Sequence, residues 1–152
     1  GEALALRVRD FRPQVPDVYV CGTVCERGGL FRQPTAKRGE DRRLAVPSRI
    51  VPTLRLMAAD KRPDDALLSP DGAIVRPAVV RQALRAASLE AGVRRITPHA
   101  LRHTHATLAL QRGFTIADVR ARLGHADVKT TLGIYGHTTA ARDRGIAESF
   151  GG

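Results

Sequence analysis

Cysteine is scarce in this chain: Cys21 and Cys25 are the only two, with no CxxC pair and no second ligand cluster beside them. That argues against a structural zinc site, which needs four such ligands. The two read as reduced thiols in or beside a strand, which points to the cytoplasm. No apolar run reaches the length of a membrane span, and no signal peptide is visible. Low-complexity tracts, internal repeats and long linkers are missing too, so residues 1–152 read as one folded domain. No initiator methionine opens the chain. GEALALRVRDF starts at once with helical spacing, as if a helix had been entered partway in a piece of a longer protein.

Lysine is the other scarce residue. Only Lys37, Lys61 and Lys129 occur, so 22 of the 25 basic residues are arginine. The formal net charge is +10 with a pI near 11.1, which calls for a polyanionic partner such as nucleic acid. Arginine suits that partner, because its planar fork of donors matches phosphate and its charge does not titrate away.

The residue pattern predicts a mostly helical α+β domain. DVYVCGTVCE (17–26) has strand composition, RRLAVP (42–47) reads as a second strand, and residues 35–41 form the turn before it. Ser48 is placed to cap a helix over 49–61, with Pro52 tolerated in its first turn. ALLS (66–69) reads as a short extended piece. Helices are expected over 75–92, closed by Gly92, and over 98–112, then over a short stretch capped by Thr115. Two more follow near 128–135 and 138–150. The expectation is one small antiparallel sheet packed on a helical bundle.

The helix that begins TPHALRHTHATLAL carries the first chemical signal. Thr97 and Pro98 suit the N-cap and first helical position, so its start is well marked. His99, Arg102 and His103 then stand at i, i+3 and i+4, side by side on one face, while Leu101 and Leu108 point elsewhere and can anchor a core. Three cationic groups facing one spot repel unless an anion lies between them. Downstream, LGHADVKTTLGIYGH presents His125 from a turn after a glycine and, ten residues later, Tyr135, one of two tyrosines. A phenol near several cations has a lowered pKa and becomes a usable nucleophile. Attack on a phosphodiester needs cations at the non-bridging oxygens, a base, and an acid for the leaving oxygen. His105, on another face of its helix, and His137, after a glycine, read as structural.

In PHALRHTHAT, LGHADVKTTLGIYGH, the hairpin TAKRGEDRRLAVP and the opening GEALALRVRDF, the sequence resembles the tyrosine recombinase (phage integrase) family, in the family's order and over nearly the whole chain. The resemblance implies the catalytic fold of that family and a metal-free, cofactor-free reaction on double-stranded DNA, carried out by a tetramer of the full-length protein. Tyr135 would attack the scissile phosphate and form a 3′-phosphotyrosine bond, releasing a 5′-hydroxyl. Arg102 would hold the non-bridging oxygens, His99 would accept the tyrosine proton, and His125 would donate a hydrogen bond to the phosphate. Lys37 would protonate the leaving oxygen. It is preferred over Arg38 because lysine can give up a proton. Glu2 would support the site from behind, as would His103.

The family's first catalytic arginine lies just upstream of Gly1 and Glu2. It is therefore missing from this chain, as is the DNA-clamping domain before it, and neither Arg7 nor Arg9 takes its place. A bacterial or phage-encoded protein acting at the nucleoid follows from the same resemblance. Two other classes compete: a non-catalytic DNA-binding relative, against which Tyr135 argues, and a metal-dependent hydrolase built on His99, His103 and His125. The latter is disfavoured because Asp127 is the only acid nearby.

Overall fold

A computed structural model describes residues 1–34, 41–124 and 140–150. The chain does not open with an α-helix. Two 3₁₀ turns, Ala3–Ala5 and Val8–Asp10, stand there instead. The reason is where their backbone groups find partners. The N–H groups of Val8 and Arg9 donate to the carbonyls of Asp65 and Pro63, at 3.1 and 3.0 Å, and the Leu6 carbonyl accepts from Leu67 at 2.9 Å. The Asp10 carboxylate takes the Arg7 N–H at 2.9 Å. Helical spacing in ALALRV is thus overruled by pairing with a distant segment. Of the expected extended piece at 66–69, only Ala66 pairs, through an isolated bridge to Arg7.

The strand expected over 17–26 is two strands, interrupted at Cys21. β1 (Phe11–Arg12), β2 (Asp17–Val20) and β5 (Arg42–Ala45) form an antiparallel sheet in the order β1-β2-β5. β3 (Gly22–Cys25) pairs with β4 (Phe31–Pro34) in a second sheet, so there are two small sheets where one was expected. Gly22 faces Pro34 and Val20 faces Arg42. Both cysteines are free, as expected. Cys21 Sγ accepts from Arg32 at 3.0 Å.

Five α-helices follow among the described residues. α1 (Val51–Ala58) has Pro52 in its first turn, but Ser48 does not cap it. A 3₁₀ turn over Ser48–Ile50 intervenes, and the Ser48 hydroxyl bonds Glu148 at 2.6 Å instead. α2 (Pro77–Glu90) is followed by Gly92 at φ 63°, the left-handed residue expected after its end. α3 (Pro98–Gln111) starts as its sequence requires, with the Thr97 hydroxyl accepting from the Ala100 N–H at 3.1 Å. α4 (Ile116–Leu123) opens on a reciprocal capping box of Thr115 and Asp118. α5 (Ala140–Ser149) matches the last expected helix, whereas the one expected near 128–135 lies outside the described residues.

Two apolar clusters hold these elements. Phe11, Val18, Val20, Val46, Leu54 and Leu67 join the three-stranded sheet to α1. Ala109, Val119 and Ile146 join α3, α4 and α5. Leu101 does not serve as an anchor for α3 and is exposed; Ala106 and Ala109, three apart, make its packing stripe.

Polar bonds join the two halves. The Asp143 carboxylate accepts from the Ala45 N–H and pairs with Arg122 at 2.5 Å, and Arg122 also donates to the Ala45 carbonyl at 3.0 Å. Arg144 donates to the carbonyls of Val46 and Pro16, at 2.7 and 2.6 Å.

Removing one partner of a buried, hydrogen-bonded ion pair leaves the other uncompensated. Asp143→Ala is expected to lower the unfolding free energy by about 3–5 kcal/mol in urea titrations. Asp64→Ala, at an exposed carboxylate that pairs with Arg7 and Arg9, is expected to cost no more than about 1 kcal/mol.

Candidate active site

On α3 the face predicted from spacing is present, but its groups are resolved differently from a simple repelling cluster. The imidazoles of His99 and His103 meet edge to face, with centroids 4.5 Å apart and Nε2 to Nε2 at 3.0 Å. One nitrogen must donate and the other accept, so this contact requires at least one ring to be unprotonated at Nε2. Arg102 lies between the two histidines in sequence and is half-buried, because its guanidinium crosses to the neighbouring helix and donates to the Leu123 carbonyl.

That destination follows from the end of α4. The last carbonyls of a helix have no partner inside it and carry the negative end of its dipole, which favours cations there. Gly124 closes the helix in the left-handed conformation, φ 65°, and its N–H returns to the Arg120 carbonyl at 2.9 Å. The last two carbonyls of the helix, those of Arg122 and Leu123, take guanidinium donors from elsewhere in the chain. Arg102 serves Leu123, and Arg42 Nε serves Arg122 at 3.2 Å. Gly124 is needed twice over. A Cβ there would be strained by the positive φ and would stand 2.4 Å from the Arg42 guanidinium carbon.

Arg42 also makes a two-pronged pair with Glu2, at 3.1 and 2.8 Å. Burial pushes the Glu2 carboxyl toward neutrality. The hydrogen bonds and charge of Arg42 outweigh that, with help from the charge of Arg102, and its pKa lies below the usual carboxylate value. Glu2 thus remains charged in its pair with Arg42.

The structure therefore brings together Glu2, Arg102, His99 and His103. Lys37, His125 and Tyr135 lie outside the described residues, as does His137; His125 directly follows Gly124 in the chain. His105 points away from the site and is half-buried with its ring 4.4 Å from that of Phe150. Burial, and then the charge of Arg122, hold its pKa below the ordinary histidine value, which fits the structural reading.

Arg42 and Arg122 belong to the arrangement but do not stand out in the sequence. Strand alternation says that Arg42 and Arg43 face opposite sides, not which of them meets a helix end. Chemically, a guanidinium with one donor committed to a carbonyl keeps the rest of its five for an anion.

Comparison with known proteins identifies the family. The sequence model of the phage integrase family matches residues 1–142. The integrase of Staphylococcus phage L54a is 27% identical over 164 aligned residues, which cover 97% of this chain and 46% of the phage protein. Tyrosine recombinase XerD of Oceanobacillus iheyensis is 44% identical over 68 residues, 44% of this chain and 23% of the relative. The chain thus spans less than half the length of these relatives. Among solved structures, XerA recombinase superposes with a TM-score of 0.66 at 26% identity, covering 84% of this chain and 44% of XerA. The Tn1549 transposon integrase, solved in complex with transposon right end DNA, gives a TM-score of 0.67 at 18% identity. Those shares are 98% of this chain and 53% of the integrase, and at that identity the likeness speaks for the fold alone. The family match runs from the first residue into the first turn of α5, and the chain belongs to the phage integrase family of tyrosine recombinases.

Proposed function

We propose that the protein cuts and rejoins double-stranded DNA at specific sites, as a homotetramer, through a 3′-phosphotyrosine intermediate and without a metal ion. The observation that carries this reading is the seat of Arg102. It is fixed to the carbonyl end of α4, one residue before the Leu-Gly-His glycine and one turn after His99 on α3. In the reaction the Tyr135 oxygen forms a bond to phosphorus as the bond to the 5′-oxygen breaks. His99 takes the phenol proton, Lys37 gives one to the 5′-oxygen, and Arg102 and His125 hold the non-bridging oxygens. The net charge of +10 suits a duplex partner.

The protein as its gene encodes it is expected to form a covalent adduct with a nicked suicide substrate in EDTA, seen as a shifted band on a denaturing gel. Tyr135→Phe should abolish the band. Its persistence in that variant, or its loss on chelation, would overturn the reading.

Lys37→Ala should cleave ordinary DNA more slowly by a factor on the order of 10²–10⁴, the range of general acids. On a 5′-bridging phosphorothiolate, whose thiol leaves without help, the variant should recover most of its rate while Arg102→Ala stays impaired. Rescue of Arg38→Ala in place of Lys37→Ala would move the acid by one residue.

A further inference from the structure

Arg42 lies on a strand, away from the helix face that carries His99 and Arg102, yet its contacts lead to that face. Its guanidinium is largely enclosed, with 14% of the side chain exposed. Three of its nitrogens are committed: two to the carboxylate oxygens of Glu2 and one to the carbonyl of Arg122. The carbonyl of the next residue, Leu123, is the one that holds Arg102. Two guanidiniums from different elements thus grip consecutive carbonyls of one helix end, and Gly124 leaves room for the first of them. A free helix end frays by a turn or so. This one is held from the sheet side by Arg42, and any shift of it would carry the acceptor of Arg102 with it.

We infer that Arg42 is a positioning residue for strand cleavage: anchored by Glu2, it fixes the carbonyl end of α4, and through the Leu123 carbonyl it sets where Arg102 meets the phosphate. The inference rests on the proposed cleavage chemistry. Lysine cannot replace it, since a single ammonium does not present a planar fork to a carboxylate while reaching a carbonyl with a third donor.

The test uses the gene-encoded protein, with single-turnover cleavage rates and DNA affinity measured separately. Arg42→Lys should bind the duplex within about twofold of the parent but cleave on the order of 10–100-fold more slowly, the cost of displacing a reacting group by about 1 Å. On a substrate with a methylphosphonate at the scissile position, one non-bridging charge is gone and Arg102 has less to offset. There the variant should come within about threefold of the parent. Added to Arg102→Ala, it should cause no further loss, because both changes remove one function.

A merely structural role would slow both substrates alike and add to Arg102→Ala. Either result, or parental rates on ordinary DNA, overturns the inference. If Arg42→Lys lacks the parental circular dichroism and melting transition, Glu2→Gln, which loosens the same anchor, is judged by the same three measurements. A parent that forms no Tyr135 adduct overturns the proposed function, and the inference with it.

Discussion

The Arg122–Asp143 pair, closed over the backbone of Ala45, fixes how the helices sit on the sheet. Among the described residues β5 is the outer strand of its sheet, with one row of its backbone groups facing no neighbouring strand there. At Ala45 the Asp143 carboxylate accepts the N–H and the Arg122 guanidinium donates to the carbonyl, while the two side chains bond each other. A helix-borne carboxylate and a helix-borne guanidinium thus do together what a further strand would do, and that edge is covered. Such a pair adds little net stability over an apolar contact of the same shape. It does fix direction and register, because four polar groups are satisfied in one arrangement only. Arg144 on Val46 and Glu148 on Ser48 continue the same attachment along α5. With α4 and α5 pinned to β5, the carbonyl end of α4 becomes a fixed point, and Arg102 is docked on it.

The charge economy of the interior follows one rule. Asp10, Asp17, Asp118 and Asp143 are buried, and each has an arginine within ion-pair distance. A carboxylate cannot be left alone in such a place without neutralising or unfolding its surroundings. Arginine is well matched to this, since it stays charged and bonds a carboxylate and a carbonyl at once, as Arg122 and Arg42 both do. The arginine bias that reads from sequence as affinity for phosphate is therefore partly an internal matter. Several of those guanidiniums hold carbonyls and buried acids and are not free to meet DNA.

Local signals were legible in the sequence, and long-range ones were not. The starts of α3 and α4, with Thr97 and Thr115, and the turns after α2 and α4, with Gly92 and Gly124, depend on bonds within a few residues and came out as expected. The opening segment was misread because its hydrogen bonds go to residues 63–67, which periodicity cannot show. Ser48 carries a good capping side chain, but Glu148 competes for it from a hundred residues away. The division of the 17–26 strand at Cys21 depends on which segments pair with each half. At the site, the shared face of His99, Arg102 and His103 was legible from spacing. Their actual partners, a second imidazole and a helix-end carbonyl, were set by tertiary placement.

The pairing of Gly22 with Pro34 and of Val20 with Arg42 separates two lengths that could otherwise be linked. Pro34 and Arg42 are each paired, so the number of residues between them does not determine the register on either side. Closing a longer loop between the same ends costs only about 0.6 kcal/mol per doubling of its length. The number of residues between Pro34 and Arg42 can therefore change at small thermodynamic cost. Within β5 no such freedom exists. A slip of one residue would turn the strand over and put Arg43 where Arg42 meets the end of α4. The chain is thus tolerant of insertion before Arg42 and intolerant of it within β5, a division between adaptable length and fixed geometry at adjacent positions.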